Sequence, residues 1–168
     1  MRSTNFYSKK AVQAFRDPIG RDTRVLISIT TPLANDYSKS CAPAVLHDDT
    51  WKDILRLEFN DVDPAHISKD ETRYRLFNTN DAIEILKFLK KHQADTVDVI
   101  VHCEAGISRS AAVAKFIAHV YNLDFPEHYS IYNKHVFSTL LRVHGESLYG
   151  EGPLPAEDLP GVTKGASQ

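Results

Sequence analysis

A thiol, a guanidinium and a hydroxyl, Cys103, Arg109 and Ser110, lie close together in His102-Cys103-Glu104-Ala105-Gly106-Ile107-Ser108-Arg109-Ser110. The guanidinium of Arg109 is a planar fork able to grip two oxygens of a tetrahedral anion at once, which a lysine cannot copy. Successive N–H groups of a tight loop add to such a concavity, and Gly106 supplies a residue free to take positive φ inside it. The same field favours a thiolate on Cys103, and a thiolate is a nucleophile. Ser110 is placed to donate a hydrogen bond to the sulfur, and His102 to hold the loop from behind. The chemistry this implies is attack by sulfur on a bound, doubly charged tetrahedral group.

Two elements must position these residues. The run Val97-Asp98-Val99-Ile100-Val101 is short, apolar and β-branched, and reads as a buried strand. After the loop, Val113, Phe116, Ile117 and Val120 fall at the spacing of one helix face. Cys103 therefore ends a strand and Arg109 opens a helix of about Arg109 to Asn122. The first N–H groups of that helix lack intrahelical partners and carry the positive end of its dipole, an anion site in themselves. A buried structural cysteine followed by a capping serine is the plainer alternative, but it explains neither Arg109 nor Gly106.

The string HCEAGISRS resembles the signature loop of the cysteine-dependent protein tyrosine phosphatases, and GISRSA looks most like the dual-specificity branch with its compact bacterial and phage relatives. The resemblance covers Val25 to roughly Val143. It implies that Cys103 is the nucleophile, that Arg109 and the amides of Glu104, Ala105, Gly106, Ile107, Ser108 and Arg109 bind phosphate, and that Ser110 helps the thiolate leave. It also implies a carboxylic acid on the loop after a neighbouring strand, to protonate the departing oxygen and then activate water. The sequence LRLEFNDVDP resembles that region and assigns the role to Asp61. Asp63 is its rival, two residues on, with Asp70 and Asp81 as weaker alternatives, Asp81 reading as a charge at a helix N-terminus. The spacing from Asp61 to Cys103 is longer than the family's, so Pro64 to Thr72 reads as an insertion.

Composition agrees with a small globular enzyme. One domain is expected for 168 residues, and a net charge of −2 gives no drive toward nucleic acid or membrane. Two cysteines, Cys41 and Cys103, imply no disulfide framework, and a reducing cytoplasm is the expected location. No apolar run approaches transmembrane length. The eight histidines show no metal-ligand spacing, and no metal or other cofactor is expected, since Arg109 and the loop amides neutralise charge.

Along the chain, Ser3 to Tyr7 reads as a strand and Ser8 as the cap of a brief helix. Arg2, Lys9, Lys10, Arg16, Arg21 and Arg24 form a locally basic segment, read as a solvated face. Strands follow at Arg24–Thr30 and Ile54–Phe59. A helix capped by Asn78 or Asn80 presents Ile83, Leu86 (or Ile85), Phe88 and Leu89. A last helix is expected from Pro126 to Val143 with Ile131, His135, Val136, Leu140 and Val143 inward; Asn133 and His135 in it read as packing or polar support. Residues 1–145 form the catalytic domain and 146–168 a flexible tail. Strands alternating with helices predict an α/β fold around a mainly parallel sheet flanked by helices.

The expected function is hydrolysis of phosphotyrosine, and also phosphoserine or phosphothreonine, on a protein or peptide through a phosphocysteine. The interior EAGIS carries no lysine, whereas the inositol-lipid phosphatases of the superfamily usually carry basic residues there. Three alternatives share the loop: a rhodanese-like sulfurtransferase, a non-catalytic phosphotyrosine-binding module, and an RNA 5′-triphosphatase.

Overall fold

Apolar β-branched runs make the strands, and amphipathic runs with polar caps make the helices. The computed structural model describes residues 1–16, 20–32, 42–68 and 73–149. In chain order the elements are β1 (Ser3–Ser8), α1 (Lys9–Gln13), α2 (Gly20–Thr23), β2 (Arg24–Thr30), β3 (Asp53–Glu58), α3 (Thr79–Lys91), β4 (Asp98–Cys103), α4 (Arg109–Tyr121) and α5 (Lys134–Tyr149). Short 3-10 turns lie at Asp48–Thr50 and Pro64–His66.

The four strands form one sheet, ordered β1-β4-β2-β3, and every pairing is parallel. Parallel strands are covered on both faces, which is why β2 and β4 read as near-continuous apolar runs. On one face Val25, Ile27, Ile29, Val99 and Val101 meet α3, α4 and α5. On the other, Leu26 and Ile100 meet Val12 of α1 and Trp51. Nine of the first ten residues of helix α4 are buried, Lys115 being the exception, with Phe116 and Ile117 fully enclosed. Burying side chains of that size stabilises by about 1.5–3 kcal/mol each. Because β4 lies between β1 and β2, Cys103 reaches the carboxyl edge of the sheet facing Ser8 of β1 in register.

Ser8 caps α1 by accepting from Ala11 N, as expected. Asn78 is the cap of α3, in a reciprocal capping box with Asp81. Ile85 is fully buried there, while Ile83 and Leu86 are half-buried. The basic residues near the N-terminus do not form one patch: Arg2 pairs with Asp98, Lys9 with Glu104, Arg21 with Asp49, and Arg24 lies over the Phe15 ring.

The last helix differs from expectation. It starts at Lys134 rather than Pro126, and residues 126–133 are a loop that leaves Ile131 67% exposed instead of inward. The cause is Asn133, whose Oδ1 accepts from Val136 N and so begins the helix there. The helix then continues through Gly145 to Tyr149. Cys41, Asp70 and residues 150–168 of the expected tail lie outside the described residues. Among the described residues, no helix is long and apolar enough to cross a membrane.

Candidate active site

The loop between β4 and α4 is held from three sides. From below, Lys9 N donates to the Glu104 carbonyl at 3.2 Å, and Lys9 Nζ meets Glu104 Oε2 at 2.8 Å. Gly106 takes φ +72°, and a Cβ there would come within 2.3 Å of Ser8 N and 2.4 Å of the Tyr7 carbonyl carbon. Only glycine fits, because the loop lies directly on the end of β1. From outside, Tyr129 Oη donates to the Ile107 carbonyl at 2.7 Å, which fixes loop 126–133 against the phosphate-type loop. Burial, and to a lesser extent electrostatic interaction with Cys103, raises the Tyr129 phenol above its ordinary value, so it stays a donor.

From behind, His102 is fully enclosed, with Nε2 2.8 Å from Ser28 Oγ and Nδ1 3.5 Å from the Cys103 carbonyl. Burial is the main cause that lowers its pKa to about 4; the Cys103 carbonyl and Glu104 oppose this, and Arg56 and Lys9 add to it. The ring is therefore neutral at pH 7, and its partners assign the protons: Nδ1–H points to the carbonyl and Nε2 accepts from the hydroxyl.

The reactive groups converge above this support. Cys103 Sγ, at the end of β4, is 3.1 Å from Ser110 Oγ in the first turn of α4, and both residues are buried. Arg109 is 4% exposed; one terminal nitrogen donates to the Phe59 carbonyl at 2.7 Å and to Thr31 Oγ1 at 3.1 Å. Among the described residues its Nε finds no hydrogen-bond partner, an unmatched donor in a buried place. Asp61 Oδ2 lies 3.9 Å from that Nε, an ion-pair distance too long for a hydrogen bond. Asp61 Oδ1 accepts from Ser108 Oγ at 2.8 Å and from Asn133 Nδ2 at 2.9 Å. Ser108 thus spends its hydroxyl on Asp61 and does not cap the α4 N-terminus with it, an end that by its dipole favours an anion.

The carboxylates are now told apart. Asp63 caps the 3-10 turn by accepting from Ala65 N at 3.0 Å. Asp81 takes both ends of the Arg75 guanidinium at 2.6 and 2.9 Å. Only Asp61 of the three contacts the loop. Its neighbour Asn60 exchanges two hydrogen bonds with the Arg75 main chain, N to O and N to Oδ1, each 2.8 Å. The long excursion after Asp61 is thereby closed at its base. Among the described residues, no group of three His, Cys, Asp or Glu side chains is disposed to hold a metal ion.

Sequence reasoning did not identify Ser28, Thr31, the Phe59 carbonyl, Tyr129 or the Asn60–Arg75 clasp. Thr31 and Phe59 read only as strand ends, and Tyr129 fell inside a helix that does not form.

No family model matches the chain, and no curated protein matches it. Solved structures do. Tk-PTP in its active form shares 14% identity over 86% of this chain and 80% of its own, with a TM-score of 0.38. PTPMT1 shares 20% identity over 86% of this chain and 90% of its own, with a TM-score of 0.45. PTPMT1 in complex with PI(5)P shares 20% identity over 87% and 94%, with a TM-score of 0.47. These neighbours are protein tyrosine phosphatases, the kind of protein the loop resembles.

Proposed function

We propose that the chain is a phosphomonoester hydrolase that works through a phosphocysteine on Cys103. The observation that carries this reading is Arg109: a buried guanidinium, fixed at one end by Phe59 and Thr31, with an unmatched Nε beside the acid at Asp61. A buried donor without a partner is costly, and a phosphoryl oxygen satisfies it.

In the first step the Cys103 thiolate attacks phosphorus and the ester P–O bond breaks. Asp61, as carboxylic acid, gives its proton to the departing oxygen. Arg109 and the amides from Glu104 to Arg109 hold the three phosphoryl oxygens and the charge that builds on them. In the second step Asp61, now carboxylate, takes a proton from water while the water oxygen bonds to phosphorus. The S–P bond breaks, and the Ser110 hydroxyl, 3.1 Å from Sγ, donates to the thiolate as it leaves. Phosphate departs.

The preferred substrate is phosphotyrosine on a protein or peptide, with phosphoserine and phosphothreonine as further substrates. The loop interior is without a basic residue, and Lys9, which approaches the loop, is paired with Glu104. An acid standing over the loop supports a hydrolase over a sulfurtransferase, which has no use for one.

The test is hydrolysis of an aryl phosphate with EDTA present, wild type and Cys103→Ser side by side. Turnover that survives the chelator and vanishes in the variant supports the proposal. Phosphotyrosine bound but not hydrolysed makes the protein a reader, and turnover of thiosulfate makes it a sulfurtransferase; either result refutes the proposal.

A further inference from the structure

We infer that Asn133 is a positioning residue for the acid, one that dictates which oxygen of Asp61 carries the proton. This rests on the phosphatase reading above and adds a residue to it. Asn133 is 8% exposed and stands at the junction of loop 126–133 with α5. Its side chain joins two structures at once. Oδ1 accepts from Val136 N at 3.0 Å, and Nδ2 donates to Asp61 Oδ1 at 2.9 Å. Its backbone N donates to the Ser108 carbonyl at 3.2 Å, so the same residue is also tied to the loop.

The direction of the amide follows from the helix. Val136 N–H can only donate, so the atom facing it is the amide oxygen, and the atom facing Asp61 is the NH2. The Ser108 hydroxyl also points at Asp61 Oδ1, at 2.8 Å. A hydroxyl can rotate and become an acceptor; the Asn133 amide cannot turn over without giving up the cap of α5. A proton on Oδ1 would face the amide hydrogens of Asn133 head on. The acid therefore carries its proton on Oδ2, the oxygen 3.9 Å from Arg109 Nε and turned toward the place where the phosphoryl group is held. Asn133 converts a symmetric carboxyl group into one with a single productive proton.

Two roles of one side chain must be separated in the test. Asn133→Ser keeps a capping oxygen for α5 and removes the amide donor; Asn133→Ala removes both. The measurement is kcat/KM, which reports the step that breaks the ester bond. Two aryl phosphates are compared: one with a weakly basic leaving group such as nitrophenol, one with a strongly basic one such as phenol. General acid catalysis is worth about 10²–10⁴-fold, and Ser108 still orients Asp61 in part. Asn133→Ser is expected to lose about 10- to 100-fold on the phenyl ester and less than about threefold on the nitrophenyl ester. The double variant Asp61→Asn/Asn133→Ser is expected to be no slower than Asp61→Asn alone, because both changes remove one function.

Equal losses on both esters, or losses that multiply in the double variant, overturn the inference and leave the phosphatase reading intact. An Asp61→Asn variant with no leaving-group dependence overturns it as well, by moving the acid elsewhere. A wild type inactive on both esters is a different result: it overturns the phosphatase reading itself, and this inference with it.

Discussion

Replacing His102 with glutamine tests whether the support behind the loop is a desolvated, neutral ring. Glutamine keeps a donor and an acceptor but does not titrate. The His102 pKa is lowered to about 4 by burial, against an ordinary value near 6.5 in the unfolded chain. In the window between these values the unfolded state binds a proton that the folded state refuses. Stability is therefore fully present above about pH 6.5 and is lost as the pH falls toward 4. At about 1.4 kcal/mol per tenfold in proton affinity, the whole window is worth about 3 kcal/mol, and most of it is gone by pH 4.5. That is a large share of the roughly 5–15 kcal/mol that holds a domain folded. The assay is urea unfolding at pH 7.5 and pH 4.5 on both proteins. Carboxylates such as Asp98, held low by its hydrogen bond from Arg2, titrate in both and cancel in the difference. The wild type should lose about 2–3 kcal/mol more than His102→Gln between the two pH values. Equal losses refute the reasoning, because they mean that the buried ring charges as easily as one in water.

Two further substitutions probe the loop itself. Arg109→Lys keeps the charge but has only one nitrogen to share among Phe59, Thr31 and the substrate; kcat/KM on an aryl phosphate should fall about 100- to 1,000-fold. A loss under tenfold contradicts a forked grip. Gly106→Ala places a methyl within 2.3–2.8 Å of the Tyr7–Ser8 backbone at φ +72°, where the left-handed conformation alone costs about 1–2 kcal/mol. Thermal melting with and without phosphate should show a lower Tm and no stabilisation by the anion; a variant that phosphate still stabilises like wild type rules out that packing as the support of the site.

How far these residues could be found without coordinates depends on how far apart they lie along the chain. Cys103, Gly106, Arg109 and Ser110 fall within one short stretch of chain, so the chemistry proposed for them can be read from one string, and the strand and helix around them follow from periodicity alone. The choice between Asp61 and Asp63 is of another kind. Both sit on one short loop after β3, two residues apart, and what separates them is which one finds donors 47 and 72 residues away, Ser108 and Asn133. Periodicity also misled at residues 126–133: Ile131 and His135 are four apart, like one helix face, yet the helix starts only where Asn133 turns its oxygen to Val136. The α3 cap narrows to Asn78 or Asn80 because the helical periodicity begins just beyond them, whereas Ile131 extends the apparent face of the last helix to before Asn133 and hides its cap.

The same contrast explains how the site is built. The Cys103–Arg109 loop is fixed by strand pairing and by a helix buried along most of its length, interactions that pattern alone predicts. Asp61 has no such support: in its loop Asp61, Val62 and Asp63 bury little, so the segment cannot be held by packing. It is held by polar contacts instead, Asn60 on Arg75, Arg75 on Asp81, Asp81 on the N-terminus of α3, and Asn133 with Ser108 on Asp61 itself. Each link is directional, and direction is what a proton donor needs more than burial does. The role proposed for Asp61, acid in one step and base in the next, needs a group that stays near water, and a chain of hydrogen bonds orients it without enclosing it.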